Sequence, residues 1–405
     1  MRGLPLRWLV RSLVLLVALA LLLCLAVFGR WFQVAGVRGG WDASLRLLRH
    51  GTTTVDDFRH YPGRPLRGAG DGRHAGRVAG TDWQPRVAVP GDDAGHRDLA
   101  GFLADSGTIS LVVRHNGALR YQYLAPEASA STPSQWFSVS KSVLSVLVGA
   151  AIHDGILAGV DARVVDHVPE LAGQGLDALN VRHLLTMTSG LAYVESDNPF
   201  ELHVPFNYTS DIERMILRFR PRRPPGEAFE YKSGDTALLG LVLSRALAPR
   251  TLTDYAQTRL WSALPLSDAG MWSLDRDGGL EKVWCCLAGS ARDLARIGEL
   301  YLDGGVAQGT RIVAADWIAA SAGGAAVASP VWPEASVAAG FRGYGLGWWL
   351  LSAERGDYLA QGKDGQFLYV DPSRSVVVAR LGRGAGGLRA SQWAALFRSL
   401  ADAAP

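Results

Sequence analysis

Residues 136–142 read Trp-Phe-Ser-Val-Ser-Lys-Ser and open an apolar segment. From Ser138 to His153 apolar residues recur at helical spacing, and the segment ends at Asp154-Gly155, which predicts a largely buried helix. Ser138 and Lys141 are three residues apart, so they lie one turn apart on the same face of that helix. The segment therefore places a hydroxyl beside an amine at a helix N-terminus.

A serine hydroxyl becomes a nucleophile when a base takes its proton, and a lysine kept neutral by burial and a second cation can be that base. The helix N-terminus adds backbone N–H groups that can receive a developing oxyanion. The S-x-x-K pattern also occurs by chance, and it is then a capping serine followed by a solvated lysine. The rest of the chain has to decide between these two interpretations.

Two further segments follow in a fixed order. Tyr231-Lys232-Ser233 comes after a Pro-Pro-Gly turn signal and before a predicted helix, and Lys363-Asp364-Gly365-Gln366 lies between two predicted strands. The three segments together resemble the signature of the serine β-lactamase and penicillin-binding-protein superfamily. The chain has only four lysines, and Lys141 and Lys363 stand where that signature has cations.

Longer stretches resemble the class C branch, especially 6-aminohexanoate-dimer hydrolases and related esterases. They fall between about residues 97 and 400 and include 136–142, 181–191, 233–235 and 291–296. The resemblance implies an α+β fold of three layers (α/β/α), with an antiparallel sheet flanked by helices and a helical subdomain. It also implies a serine hydrolase that cleaves a small-molecule amide or ester through an acyl-enzyme on Ser138.

The resemblance implies a role for each residue that matches a motif. Ser138 is the expected nucleophile, Lys141 holds or accepts its proton, and Tyr231 acts as general base and passes the proton to the leaving group. A phenol serves as a base only when nearby cations stabilise its phenolate, and Lys141 and Lys363 are the expected cations. The backbone N–H groups of Ser138 and Gln366 are expected to form the oxyanion hole. The expected substrate-binding residues are Ser233, Gly365 and Gln366.

Two positions depart from the class C pattern and weaken the expectation of β-lactam turnover. Ser233 stands where class C β-lactamases have asparagine, and the usual threonine beside Lys363 is missing. A DD-peptidase that acts on cell-wall peptide is a rival enzyme of the same superfamily, and a non-catalytic sensor of cell-wall fragments is a second rival. An α/β-hydrolase is excluded because the chain has no G-x-S-x-G.

The segments around the motifs favour the same fold class. Two β-rich runs, 108–114 and 119–124, are joined by Asn116-Gly117, the strongest short signal of a hairpin. The sequence further predicts helices over 181–187, 211–219, 236–247, 291–302 and 388–401, and late strands over 344–351, 358–361, 366–370 and 375–381. Strands near both ends with helices between them predict one α+β domain whose sheet pairs its first and last segments.

The segment from Leu13 to Gly29 is almost unbroken Leu, Val and Ala, with arginines on both sides. It predicts an uncleaved membrane anchor, residues 1–31, with a cytoplasmic N-terminus, and a cleaved signal peptide is the alternative. Residues 32–96 are rich in Gly, Pro and Arg and predict a surface extension. Residues 97–405 are the expected hydrolase domain, which would lie on the periplasmic side of the cytoplasmic membrane.

Composition narrows the partners and cofactors. The formal net charge is +3, from 41 Lys and Arg against 38 Asp and Glu, which disfavours nucleic-acid binding. Spacings such as H-E-x-x-H and paired C-x-x-C are absent, so neither a metal nor another cofactor is expected. Asp235 and Asp293 stand at predicted helix starts, where capping is the commoner role of a carboxylate. The adjacent Cys285 and Cys286 are interpreted as buried apolar residues.

Overall fold

The computed structural model describes residues 6–70, 83–90, 98–264, 266–324 and 340–405. Within these ranges the chain divides into two compact units. The first contains residues 6–53 and 193–219, and the second contains residues 54–192 and 220–405. Residues 1–5 of the predicted anchor, and residues 71–82 and 91–96 of the predicted extension, lie outside the described residues.

Helices and strands are interspersed along the described part of the chain. The helices are α1 (Leu6–His50), α2 (Leu99–Asp105), α3 (Val139–His153), α4 (Val164–His167), α5 (Val181–Leu185), α6 (His203–Tyr208), α7 (Ile212–Ile216), α8 (Ser233–Leu247), α9 (Leu252–Ala256), α10 (Ala291–Leu302), α11 (Ala315–Ala319) and α12 (Ala390–Ala403). The strands are β1 (Gly63–Leu66), β2 (Thr108–His115), β3 (Ala118–Leu124), β4 (Ser134–Gln135), β5 (Gly270–Ser273), β6 (Leu287–Gly289), β7 (Val306–Ala307), β8 (Thr310–Arg311), β9 (Gly343–Tyr344), β10 (Trp349–Leu350), β11 (Tyr358–Gly362), β12 (Gln366–Asp371) and β13 (Val376–Gly382).

The main sheet of the second unit has the strand order β3-β2-β13-β12-β11-β10-β9. Its neighbouring strands pair antiparallel, and β13, the last strand of this sheet along the chain, pairs with β2, the first. The turn between β2 and β3 has positive φ at Asn116 (51°) and Gly117 (74°), as a tight hairpin turn requires. The structure therefore confirms both the hairpin and the predicted pairing of first and last segments.

Helices cover both faces of this sheet. On β13, Val376 and Val378 join the core formed with α2 and α12, which contains Phe102 and Trp393. Val377 points to the opposite face, where it lies against Gly298 of α10. Such alternation along one strand is expected when both faces are buried. The predicted three-layer α+β fold with an antiparallel sheet is confirmed.

The first unit is built on a long N-terminal helix. In α1 the apolar stretch beginning at Val10 is exposed, and it is long and apolar enough to cross a membrane. The helix bends at Gly36, where φ is 75°, and continues to His50. Beyond the apolar stretch, Trp31 and Ala43 pack with Tyr208 of α6. Residues 32–50, predicted as part of a Gly/Pro/Arg-rich extension, are thus helical.

Candidate active site

The backbone before α3 holds Ser138 in a fixed position. Strand β4 pairs with β6, and one residue later the backbone N–H of Trp136 donates to Leu287 O at 2.8 Å while its indole N–H donates to Gly289 O at 3.0 Å. Phe137 then has φ of 46°, which is rare for an aromatic residue and signals local strain. Strained backbone of this kind is typical of functional sites. The chain enters α3 at the next residue, so Ser138 stands at the helix N-terminus.

The side chains of Ser138 and Lys141 are in direct contact. The Nζ atom of Lys141 donates a hydrogen bond to Ser138 Oγ at 2.8 Å and another to the carbonyl oxygen of Trp284 at 3.1 Å. Lys141 is only 3% exposed, whereas Ser138 is partly open to solvent. A nucleophile has to be accessible to the substrate, whereas its proton acceptor can be buried. The partial exposure of Ser138 and the burial of Lys141 fit these two roles.

The ring of Tyr231 lies next to Lys141. The Lys141 Nζ is 4.8 Å from the centroid of the Tyr231 ring. That ring is stacked on Trp349, at a centroid distance of 5.3 Å, and meets the edge of Tyr344 at 6.1 Å. The two aromatic residues belong to β9 and β10, so the edge of the main sheet restricts how the phenol can turn.

Met187 holds the loop that carries Tyr231 through hydrogen bonds. The sequence did not identify Met187 as part of the site. The backbone N–H of Glu230 donates to Met187 O at 2.9 Å, and that of Lys232 donates to Met187 Sδ at 3.4 Å. Met187 is buried and has φ of 57°, which turns both acceptors toward the loop. The residues on both sides of Tyr231 are thus held by one methionine, which lies in the stretch 181–191 already singled out for its resemblance.

The segment with Lys363 forms a tight turn against the backbone of the serine segment. Strand β11 ends at Gly362, where a Cβ would lie 2.5 Å from Trp136 O and 3.1 Å from Ser138 N, so only glycine fits. Gly362 pairs with Gln366 across the turn, and the Lys363 ammonium lies 5.9 Å from the centroid of the Phe137 ring. Residues far apart in the chain therefore meet at the start of α3.

The structure brings the predicted catalytic residues together, whereas no direct contact among the described residues tests the predicted oxyanion-hole and substrate-binding roles. Ser138, Lys141 and Tyr231 are linked by direct contacts, and the turn with Lys363 lies against the residues next to Ser138. The side chains of Ser233 and Gln366 are buried. The backbone N–H groups of Ser138 and Gln366 as oxyanion donors remain predictions, as do the substrate-binding roles of Ser233, Gly365 and Gln366. The carbonyl of Trp284, a partner of Lys141, carries no sequence signal because every residue has a carbonyl.

Comparison with known proteins decides the family. A family model described as Beta-lactamase matches residues 96–401. The chain belongs to the beta-lactamase family. The sequence-based assignment to the serine β-lactamase and penicillin-binding-protein superfamily is thereby confirmed, and this member of the family is a serine hydrolase.

Individual relatives of this beta-lactamase family member include a 6-aminohexanoate-dimer hydrolase, as the sequence indicated. It is 29% identical over 306 residues to the 6-aminohexanoate-dimer hydrolase of Paenarthrobacter ureafaciens, covering 70% of this chain and 74% of the relative. A solved structure from Bacillus anthracis, assigned as a 6-aminohexanoate-dimer hydrolase, matches with a TM-score of 0.71 at 19% identity, over 86% of this chain and 92% of that one. A family VIII carboxylesterase matches with a TM-score of 0.55 at 17% identity, over 72% and 92%. The two solved structures show a shared fold.

In this beta-lactamase family member, two residues that the sequence singled out, Cys285 and Asp293, have surroundings that differ from those expected. Cys285 and Cys286 form a vicinal disulfide directly after Trp284, so they are not simply the buried apolar residues that the sequence suggested. Asp293 of α10 accepts the backbone N–H groups of Ser267 and Asp268. Among the described residues, no group of three or more His, Cys, Asp or Glu side chains is arranged to hold a metal ion.

Asp235 is a buried carboxyl close behind the tyrosine loop. It is fully buried near the start of α8, where Ser189 Oγ donates to its Oδ1 at 2.6 Å. Its Oδ2 has no hydrogen-bond partner among the described residues. Burial raises the pKa of Asp235 to about 7, although nearby Lys232 opposes this shift. The carboxyl is therefore a source of pH-dependent stability.

Replacing Asp235 by asparagine is expected to stabilise the protein at pH 8. A folded-state pKa above the unfolded value means that the folded state holds the proton while the unfolded state releases it, so wild-type stability falls as pH rises from about 4 to about 7. Asparagine removes this loss, with a gain on the order of 2 kcal/mol at pH 8 that shrinks toward pH 4. Thermal unfolding of the full chain in detergent between pH 4 and pH 8 measures the gain.

Asp293→Asn is the control for Asp235→Asn, because Asp293 is also a buried carboxyl but has hydrogen-bond donors on both oxygens. Burial also raises the pKa of Asp293 to about 7. Both of its oxygens accept backbone N–H groups, however, so an amide nitrogen in place of one oxygen loses a hydrogen bond, and the gain in stability at pH 8 should be smaller than for Asp235→Asn. An Asp235→Asn variant that is no more stable than wild type at pH 8, or whose gain does not depend on pH, would contradict the interpretation of Asp235.

Proposed function

We propose that this serine hydrolase cleaves an amide or ester bond through an acyl-enzyme on Ser138. The observation that carries the proposal is the 2.8 Å hydrogen bond between Lys141 Nζ and Ser138 Oγ, next to the ring of Tyr231. The family match and the 6-aminohexanoate-dimer hydrolase and esterase relatives support hydrolysis of amides or esters. The neighbouring aromatic, lysine and serine groups supply the nucleophile and the path for its proton.

Acylation follows from this arrangement. Ser138 Oγ attacks the carbonyl carbon of the substrate, and its proton passes through Lys141 and Tyr231 to the leaving amine or alcohol. The bond from Oγ to carbon forms while the bond from carbon to the leaving group breaks. The backbone N–H groups of Ser138 and Gln366 would bind the oxyanion, and the ammonium of Lys363 would add positive charge beside it. Water then attacks the ester carbonyl and releases Ser138.

We propose linear amides or esters of small acyl groups as the substrate class. The relative from Paenarthrobacter ureafaciens is named a 6-aminohexanoate-dimer hydrolase, and the family VIII protein is named a carboxylesterase. A serine at position 233 and the missing threonine beside Lys363 argue against β-lactams. A DD-peptidase acting on cell-wall peptide is the second candidate, favoured by the apolar N-terminal helix, which would bring the domain to the cell envelope.

We infer that the protein is anchored in the cytoplasmic membrane by residues 1–31, with residues 97–405 as the catalytic domain and residues 32–96 as an extension between them. The exposed apolar stretch of α1 supports a single-pass anchor. Arginines at positions 2, 7 and 11 favour a cytoplasmic N-terminus, which places the catalytic domain in the periplasm.

One labelling experiment tests both the reaction and the location. Membranes from cells expressing the full chain are treated with a fluorophosphonate, with a fluorescent penicillin, and with p-nitrophenyl esters of increasing length. We expect the fluorophosphonate adduct on the peptide that contains Ser138, a burst of p-nitrophenol from short esters, and label that sediments with the membranes. A label on another residue, or no label and no burst, would refute acyl transfer at Ser138. Label in the soluble fraction would refute the anchor.

The second candidate and the sensor predict different results. A DD-peptidase would release D-alanine from a peptide ending in D-Ala-D-Ala and would retain the penicillin label. A non-catalytic sensor would remain inert to all three reagents while still binding cell-wall fragments.

A further inference from the structure

Arg380 is a fully buried cation on β13, directly behind the turn that carries Lys363. Its exposure is 0%, and its guanidinium lies over the Trp393 ring, 4.0 Å from the centroid. It donates hydrogen bonds to four neutral oxygens, namely Thr108 Oγ1 at 2.9 Å, Gly365 O at 2.5 Å, Ser106 O at 2.9 Å and Gly384 O at 3.1 Å. Every nitrogen of the guanidinium is thus engaged.

Among the described residues no carboxylate is paired with this guanidinium, although buried arginines commonly have one. Burial lowers the pKa of Arg380 to about 9, so the group still carries its charge at neutral pH. A buried and uncompensated positive charge is costly to maintain. The other side chains of β13 are apolar, and packing of the sheet does not require a charged residue among them. The presence of Arg380 therefore points to another role.

The contact with Gly365 O connects this charge to the proposed active site. Gly365 has φ of 74°, and a Cβ at this residue would collide with the Arg380 guanidinium. From the other side, Gln366 Nε2 donates to Lys363 O and Asp364 O, both at 3.2 Å, and to Gly382 O at 2.6 Å. Two buried side chains therefore determine the conformation of a turn whose first residue follows Gly362, the residue packed against Ser138 N.

We propose that Arg380 is a positioning residue for acyl transfer, acting through Gly365 to hold the turn 363–365 in place and to direct positive charge toward the oxyanion. This inference rests on the proposed function. A charged donor on Gly365 O polarises the peptide bond between Gly365 and Gln366, which strengthens the Gln366 N–H expected to bind the oxyanion. The same hydrogen bond also holds the turn in place, so that Lys363 stays close to the first residues of α3. Both effects stabilise the transition state rather than the bound substrate.

The test compares two buried arginines in neighbouring strands. Arg380→Met is expected to lower kcat for p-nitrophenyl esters by about 10- to 100-fold while KM changes by less than about threefold. Arg114→Met is the matched control, because Arg114 on β2 is also buried but pairs with Glu299 at 2.6 Å, near the far end of that strand. It is expected to reduce stability and leave kcat within about threefold of wild type. Exhaustive fluorophosphonate labelling of the full chain gives the concentration of competent sites in each variant.

Arg380→Lys tests whether the several hydrogen bonds of the guanidinium matter in addition to its positive charge. Lysine keeps a positive charge but cannot serve Gly365, Ser106 and Gly384 together, so we expect a kcat between those of wild type and Arg380→Met. If Arg380→Met does not fold, a wild-type kcat in Arg380→Lys overturns the proposal. An unchanged kcat in folded Arg380→Met, or an equal loss in Arg114→Met, also overturns it. A wild-type protein without label at Ser138 would instead refute the proposed function itself.

Discussion

Ser138→Ala is expected to abolish the burst and the fluorophosphonate label and to lower kcat by about 10⁴-fold or more, because no other oxygen can form the acyl-enzyme. The alanine variant keeps the helix start, since the side chain of Ser138 does not cap α3. It also keeps Lys141 bound to the carbonyl of Trp284. Folding should therefore be close to that of wild type, and the loss should be purely catalytic. Burst kinetics and intact-mass measurement after labelling provide the readout.

Ser142→Ala is the matched control on the same helix. The hydroxyl of Ser142 is buried and donates to Gly347 O at 2.6 Å. Its loss leaves a buried carbonyl without that donor and should cost about 1 kcal/mol of stability, with kcat within about threefold of wild type. If Ser138→Ala retained the burst, the nucleophile would have to be another residue and the S-x-x-K would be a chance pattern.

Local chemistry explains why much of the fold could be predicted from the sequence. Asn116-Gly117 predicts its hairpin because both residues tolerate positive φ, and α10 has the predicted bounds, Ala291–Leu302. The strands predicted over 358–361, 366–370 and 375–381 are found close to their predicted positions, since β-branched and aromatic residues favour extended backbone. The single strand predicted over 344–351 is wrong, because the chain turns back within it and β9 pairs antiparallel with β10. These signals depend on a few neighbouring residues and do not require knowledge of the tertiary structure.

The helix through residues 32–50 shows where local signals fail. The stretch has glycines at 36, 39 and 40, which reduce helix propensity and led to the prediction of an extension. In the structure a Cβ at Gly39 would contact Thr209 and one at Gly40 would contact Phe32. These glycines permit close packing within the first unit. Tertiary contacts of this kind override propensity and cannot be seen from composition.

In the candidate site, too, the residues with a local sequence signal could be predicted, whereas those that act through tertiary contacts could not. The motif segments with Ser138, Tyr231 and Lys363 could be located because their residue types and order are specific. The groups that hold them could not, because the carbonyl of Trp284 and the backbone of Met187 act through geometry alone. Arg380 is intermediate, since one arginine within Val-Val-Val-Ala-Arg-Leu-Gly is a visible interruption of an apolar strand. Only the folded chain shows that the interruption faces the turn with Lys363.

Lys141→Met is expected to lower kcat by about 10³-fold while KM changes little, because the variant retains the nucleophile but loses its proton acceptor. Methionine is unbranched like lysine, is one atom shorter and tolerates a buried site, so most of the packing against the Tyr231 ring should survive. The rate of fluorophosphonate labelling should fall in parallel, since labelling also requires loss of the Ser138 proton. Lys141→Arg should not restore activity, because a guanidinium does not release its proton at neutral pH.

Lys282→Met separates proton transfer from the general effect of removing a buried ammonium. Lys282 is also buried and also lies over an aromatic ring, with its Nζ 4.0 Å from the centroid of Tyr61. Its loss should change stability and leave kcat within about threefold of wild type. Equal losses of kcat in the two variants would mean that Lys141 acts through packing. A loss confined to Lys141→Met, with labelling slowed to the same degree, is the result that proton transfer between Ser138 and Lys141 requires.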